Sequence, residues 1–183
     1  MKIKRVNLYA GPSGGKSTTS ALLFGKLKQL GYNVELTGEY IKNWAYSHRK
    51  VNKWDQVYVF GKQHQYEYRY LANGVDFIVT DSPIFLSYVY SQHYGHDEFC
   101  GPLLELAKAY EKEFPSLNII LDRGSKPYNT LGRWQTQEQA RELDTTIENH
   151  VRANFNNVHK VPTGDVDGII RLLQEYEEHE NGE

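Results

Sequence analysis

Between Tyr9 and Ser20 the chain reads YAGPSGGKSTTS, a run whose residue types suit the grip of a polyphosphate. Gly11, Gly14 and Gly15 leave no side chains to obstruct a tight turn, so consecutive backbone N–H groups can point inward at an anion. Lys16 is long enough to reach the terminal phosphates, and Ser17 offers a hydroxyl to Mg²⁺. A helix beginning at Lys16 aims its positive end at the same place, with Pro12, Ser13 and Thr18 completing the surface. The full pattern G-x-x-x-x-G-K-[ST] is broken at its first position by Ala10. That position ends a strand, where one methyl group is compatible with the backbone.

Transfer of a phosphoryl group needs more than a cradle. It needs a group to orient the acceptor and cations over the charge that moves. Glu39, in Thr37-Gly38-Glu39-Tyr40, and Asp81, after Phe77-Ile78-Val79-Thr80, are carboxylates at strand ends, where open α/β sheets bind ligands. Either can orient an acceptor hydroxyl, and Asp81 with Ser17 is a Mg²⁺ position, Asp81 acting through water. Arg123 and Arg133 flank a loop rich in glycine and proline, with Arg141 just beyond. Arg133, beside Gly132, is the arginine expected to close on the reaction, and Arg123 is expected to touch the nucleotide. Trp44, Trp54 and Gln63 lie where an acceptor ring could stack and be hydrogen-bonded.

Other patterns carry less. Asn52-Lys53-Trp54-Asp55 matches a guanine-reading motif in letters, but it precedes a helix in the first third of the chain rather than following a late buried strand. Helix capping by Asn52 or Asp55 explains it better. Asp81-Ser82 lacks the adjacent carboxylate pair of a motor ATPase. Lys42, His48, Arg49, Lys50 and Lys53 form a local basic cluster, a solvated face within reach of a phosphorylated acceptor or a DNA strand. Cys100 is a helix residue, and His93 with His96 are too few for a zinc site.

The elements that must hold these groups alternate. Strands are expected at residues 3–10, 33–37, 77–81, 117–121 and 158–161. Between them come helical stripes: Leu23, Leu27 and Leu30, stopped by Gly31; Val57, Phe60, His64, Tyr68 and Leu71; Phe99, Leu103, Leu106, Ala107, Tyr110 and Phe114; Ala140, Leu143, Ile147 and Val151; and Val166, Ile169, Ile170 and Leu173. Strand–helix alternation implies a parallel sheet covered on both faces. Length, 183 residues, suits one α/β domain over residues 1–183, with an acidic tail at about 177–183. Twenty-one Lys+Arg against 23 Asp+Glu leaves a charge of −2, which argues against tight duplex binding. One cysteine and no membrane-length apolar run suggest a soluble, cytoplasmic protein.

The cradle, the Gly38-Glu39-Tyr40 turn, the Asp81 strand end and RGSKPYNTLGRWQTQEQAREL (Arg123–Leu143) together resemble the small P-loop kinases of the nicotinamide-riboside kinase-like and nucleoside/nucleotide kinase group. Stand-alone AAA-like ATPase/kinase chains, including phage ones, belong to that circle. Tyr40 stands where a proline often follows the glutamate. The resemblance implies a three-layer P-loop NTPase fold with a five-stranded parallel sheet ordered 2-3-1-4-5 and an arginine-bearing lid at about residues 123–136. It also implies ATP and Mg²⁺, with transfer to a nucleoside- or nucleotide-like small molecule. Two alternatives stand beside it: a kinase acting on a modified base in DNA, and an ATP-hydrolysing, nucleotide-dependent interaction module.

Overall fold

In the first strand, β1 (Arg5–Tyr9), alternate side chains go to opposite sides, as the pleat requires. Val6 and Leu8 enter one apolar layer; Tyr9 enters the other, and Arg5 and Asn7 lie on its side. The computed structural model describes residues 2–125, 128 and 135–181. Along these the order is β1, α1 (Lys16–Gln29), β2 (Val34–Thr37), α2 (Lys42–Tyr46), α3 (Asp55–Leu71), β3 (Phe77–Thr80), α4 (Phe85–His93), a 3-10 turn (Asp97–Phe99), α5 (Cys100–Glu113), β4 (Ser116–Asp122), α6 (Gln137–Asn154), β5 (Val158–Pro162) and α7 (Val166–Asn181).

Among the described residues the strands form one parallel sheet in the order β2-β3-β1-β4-β5. Alternation repeats in the inner strands: Ile78 and Ile120 face α3 to α6, while Phe77, Val79, Ile119 and Leu121 face α1 and α7. Two core clusters on opposite faces make three layers. The carboxyl ends of β1, β2 and β3 lie side by side, so the residues just after each converge.

Three features of the helices depart from the apolar periodicity. Leu30 is exposed because the helix has ended: it is the C-cap, Gly31 takes φ 90°, and Gly31 N–H and Tyr32 N–H donate to Lys28 and Leu27 carbonyls. Leu106 is exposed on the flank of the buried line Leu103, Ala107 and Tyr110. On α3 the buried line is Gln56, Val59, Phe60, Gln63, Glu67 and Leu71, whereas Val57 and Tyr68 are exposed. Three polar side chains share the inward face there with Val59, Phe60 and Leu71, so a count of apolar residues alone sets the face askew.

The reason lies in the sheet. Arg5 and Asn7 stand in register with Ser116 and Asn118, giving β1 and β4 a polar seam beneath α3 and α5. Arg5, almost fully buried, donates from Nε to the Phe114 carbonyl at 2.8 Å. It pairs with Glu111 at 2.5 Å and with the fully buried Glu67 at 3.4 Å, and its guanidinium lies 4.6 Å from the Tyr110 ring centre. Asn7 donates to Asn118 at 3.0 Å. Desolvation of buried ions costs several kcal/mol each, about offset by such a network when complete and strongly destabilising when one partner is lost.

Burial pushes the Glu67 carboxyl up to about 7, against the pull of the Arg5 guanidinium. The folded state therefore holds this proton more tightly than the unfolded one. Its contribution to stability is full below pH 4.5 and is lost as pH rises toward 7. Comparison of thermal or urea unfolding at pH 5 and pH 8 is expected to show the wild type losing roughly 1–3 kcal/mol relative to Glu67→Gln. Parallel pH profiles for the two proteins would remove Glu67 from this role.

Candidate active site

The turn from β1 into α1 is built on two left-handed residues, Ser13 at φ 59° and Gly15 at φ 84°. Ser13 pays for that conformation with strain of order 1 kcal/mol, and Gly15 adopts it without a Cβ penalty. Gly14 N–H donates to Gly11 O at 3.2 Å, closing the loop. Ala10, 2% exposed, packs its methyl under the bend: a Cβ on Gly14 would come within 2.5 Å of it. Alanine at the first pattern position is thus accommodated by the loop, and Gly14 is required opposite it.

Two neighbours brace the bend. The turn after β5 brings Thr163, whose hydroxyl donates to Gly14 O at 3.0 Å and whose methyl fills the space where a Cβ on Gly15 would sit. Gly164 N–H donates to Thr19 Oγ1 at 3.2 Å. From the other side, Asp144 of α6 accepts from Gly11 N–H at 2.6 Å. Asp144 is gripped in turn by Arg123, Nε at 2.5 Å and Nη2 at 2.8 Å. Arg123, expected to touch nucleotide, is instead buried and paired behind the cradle, because Asp144 supplies the partner that the sequence pattern does not reveal.

At the mouth of the bend, α1 begins with Gly15 as a cap without a side chain and with no acidic residue in its first turn. The positive helix end therefore keeps its affinity for an anion. Lys16 Nζ donates to Ala10 O at 2.6 Å and to Gly11 O at 3.3 Å, so its ammonium rests on the loop that it serves.

A cleft of about 840 Å³ runs from this bend to the ends of β2 and β3. Pro12 to Thr18 line one end; Glu39, Gln56, Gln63, Ser82, Tyr90 and Tyr94 are among the residues lining the rest. The structure thus brings together Lys16, Ser17, Glu39 and Gln63. Gln63 is 2% exposed, with Nε2 at 3.5 Å from Thr80 Oγ1 and Oε1 without a partner among the described residues. Gln56 lies two helical turns earlier on the same buried face. Asp81 is buried at the end of β3, also with one orphan oxygen, Oδ1; its neighbours Ser82 and Pro83 line the cleft while it does not.

The two tryptophans expected at the acceptor are not among the lining residues. Trp44 is buried in an aromatic cluster, stacked on Tyr58 at 6.2 Å, edge-on to Tyr40 at 6.0 Å and covered by the Arg49 guanidinium at 3.5 Å. Tyr40 and Tyr58 share a hydrogen bond of 2.8 Å, which with burial holds the Tyr40 phenol above its usual pKa. Trp54 is 69% exposed against Phe99. These rings pin the segment between β2 and α3 rather than present a stacking surface to the cleft. Asp55 likewise ties down that segment, accepting from Asn52 N–H at 2.7 Å and pairing with Arg49 at 3.0 Å. Arg133 lies outside the described residues. Gln135 lines the cleft and donates to Tyr94 OH at 2.9 Å. Gln56, Ser82, Tyr90, Tyr94 and Gln135 line the cleft without having been legible in the sequence; for Ser82 the one available signal was its place beside Asp81, just after β3.

Solved structures share this fold. The NadR protein in complex with NAD and AMP-PNP superposes with a TM-score of 0.68 at 15% identity, covering 96% of this chain and 49% of that one. NadR in complex with NR gives 0.63 at 16%, covering 96% and 50%. The chain therefore spans about half the length of the NadR structures. Deoxyadenosine kinase from M. mycoides, with products dCMP and dCDP bound, gives 0.55 at 15%, covering 98% of this chain and 100% of that one. No curated protein is matched by sequence. A family model described as an AAA domain matches residues 5–168, nearly the whole chain, and the protein belongs to that family.

Proposed function

We propose that the chain catalyses ATP-dependent phosphoryl transfer to a nucleoside- or nucleotide-like acceptor. One observation carries the reading: a single cleft joins the phosphate cradle to a wall bearing Glu39, Gln56 and Gln63. A bare hydrolase or switch needs the first half of that cleft; a second half with a carboxylate and buried amides suits an organic co-substrate. The ligands named for the superposable structures, AMP-PNP, NR and dCMP among them, support the same class.

In this reading the N–H groups of the bend and the start of α1 bind the triphosphate, and Lys16 moves from the loop carbonyls to the terminal phosphates. Gln56 and Gln63 orient the acceptor through hydrogen bonds. Glu39 positions the attacking oxygen and takes its proton where that oxygen is a hydroxyl. Arg123 contributes indirectly, holding Asp144 against Gly11. Tyr90, Tyr94 and Leu86 narrow the acceptor end and limit water.

The residues present fit a magnesium ion. Asp81 offers a buried oxygen without a partner among the described residues, and Ser17 offers a hydroxyl on the cleft wall, a hard-oxygen donor set. Bound there, the ion would supply neutralisation of phosphate charge.

Incubation of the protein with labelled ATP and a panel of nucleosides, nucleotides and nicotinamide riboside is expected to yield a labelled acceptor. ADP release that is equal with and without every acceptor overturns the reading. Lys16→Ala is expected to lower turnover by about 10²-fold or more, since it removes the cation that follows the developing charge. Glu39→Gln is expected to hold ATP affinity within about twofold while slowing transfer by about 10²-fold, the lower range for loss of a positioned base. Unchanged acceptor-dependent rates in that variant would take Glu39 out of the mechanism.

A further inference from the structure

The five basic residues between Lys42 and Lys53 look alike in the sequence, and the structure divides them. Arg49 pairs with Asp55 and covers Trp44. Lys53 pairs with Glu98. Lys42 and Lys50 are the two lysines of the group that line the cleft, and among the described residues neither has a carboxylate partner. Arg49 and Lys53, outside the cleft lining, are thus paired with carboxylates, whereas Lys42 and Lys50, on it, are not paired among the described residues.

The cleft as a whole has the same bias. Its lining carries Lys16, Lys42 and Lys50 against one carboxylate, Glu39. Lys16 is held at the cradle by Ala10 and Gly11 carbonyls. The other two lysines belong to the segment between β2 and α3, the same stretch of chain that carries Glu39 and leads into Gln56. An acceptor wall with two ammonium groups and one carboxylate favours an anionic ligand, and its field is strengthened by the low-dielectric walls of a cleft. An uncharged nucleoside would leave this excess of positive charge unmatched by the ligand.

We infer that the acceptor carries a phosphomonoester held by Lys42 and Lys50, so that a nucleoside monophosphate is preferred over its parent nucleoside. The inference rests on the kinase reading for the identity of this wall as the acceptor side. It concerns recognition, and binding tests it separately from catalysis.

Matched pairs of nucleosides and their 5′-monophosphates are titrated calorimetrically against the protein saturated with a non-hydrolysable ATP analogue. For the base that binds best, the monophosphate is expected to bind at least about tenfold more tightly than the nucleoside, the scale of one charge-assisted hydrogen bond. Lys42→Gln and Lys50→Gln are expected to erase most of that advantage while changing nucleoside and ATP-analogue affinities less than about twofold. Lys53→Gln, in the same segment but outside the cleft lining and paired with Glu98, is expected to preserve it.

Four results would overturn the inference. Nucleosides could bind as well as their monophosphates. The lysine substitutions could weaken both members of a pair equally, which is a structural effect. They could weaken the ATP analogue instead, which assigns the lysines to the donor. Finally, a single-stranded oligonucleotide could depend on Lys42 and Lys50 more than the mononucleotide does, which assigns them to a nucleic-acid strand. Lysine-dependent binding of the monophosphate without acceptor-dependent ADP release would uphold the inference and strike only the kinase reading.

Discussion

A chain that leaves a buried strand and enters a helix within a few residues must turn through left-handed backbone, and Ser13 and Gly15 make that turn. The geometry exposes a row of N–H groups at the positive end of α1, an arrangement unfavourable unless an anion or water satisfies it. It is held open from outside. Thr163 occupies the space beside Gly15, Asp144 takes the N–H of Gly11, and the methyl of Ala10 fills the floor under Gly14. These supports come from the turn after β5, from α6 and from the end of β1, so the shape of the bend depends on the assembled sheet. Gly15 is the most constrained point, since both its φ and the Thr163 methyl exclude a side chain.

The far wall obeys a different constraint. A cleft that is to hold a polar ligand must present hydrogen-bonding groups, yet the helix that supplies them must also pack on the sheet. α3 meets both demands with one face, placing Gln56 and Gln63 toward the cleft, Val59 and Phe60 between them, and Glu67 one turn further down against Arg5. The polar seam of β1 and β4 is what lets that face stay polar below the cleft: Arg5 gives Glu67 a counter-charge, and Ser116 and Asn118 continue the hydrogen bonding across the strands. In apolar surroundings the same α3 would leave its carboxylate buried without a partner, at a cost of several kcal/mol.

This explains which parts of the molecule were legible in the sequence. Buried parallel strands are dense in β-branched and apolar residues, and the cradle is a contiguous motif, so both can be read locally. The sheet order came from resemblance, because no local pattern encodes which strand lies beside which. Helix periodicity found Phe60 and Leu71 on α3 but missed Gln56, Gln63 and Glu67, whose inward positions are polar, and α2 is too short to display a period at all. Arg123 looked like a free cation because its partner, Asp144, is 21 residues away and joins it only through the β4–α6 geometry. Trp44 and Trp54 were expected at the acceptor from their ring chemistry and their place between the second and third strands, whereas they pack on Tyr58 and Phe99 and do not line the cleft. The basic cluster was visible as composition; its division into paired and unpaired members exists only in three dimensions.

α6 links the two ends of the cleft. Its start is fixed by a reciprocal capping box, Thr136 accepting from Gln139 N–H while the Gln139 side chain accepts from Thr136 N–H. About two turns later Asp144 binds the bend at Gly11, and just before the cap Gln135 binds Tyr94 on the far wall of the cleft. The rise of a helix makes the separation between these two anchor points about 12 Å, fixed by backbone hydrogen bonds rather than by side-chain packing. α6 therefore joins the bend at Gly11 to Tyr94 through Asp144 at one end and Gln135 at the other. Arg123 closes the Asp144 end of this brace from a buried position, with two hydrogen bonds to one carboxylate.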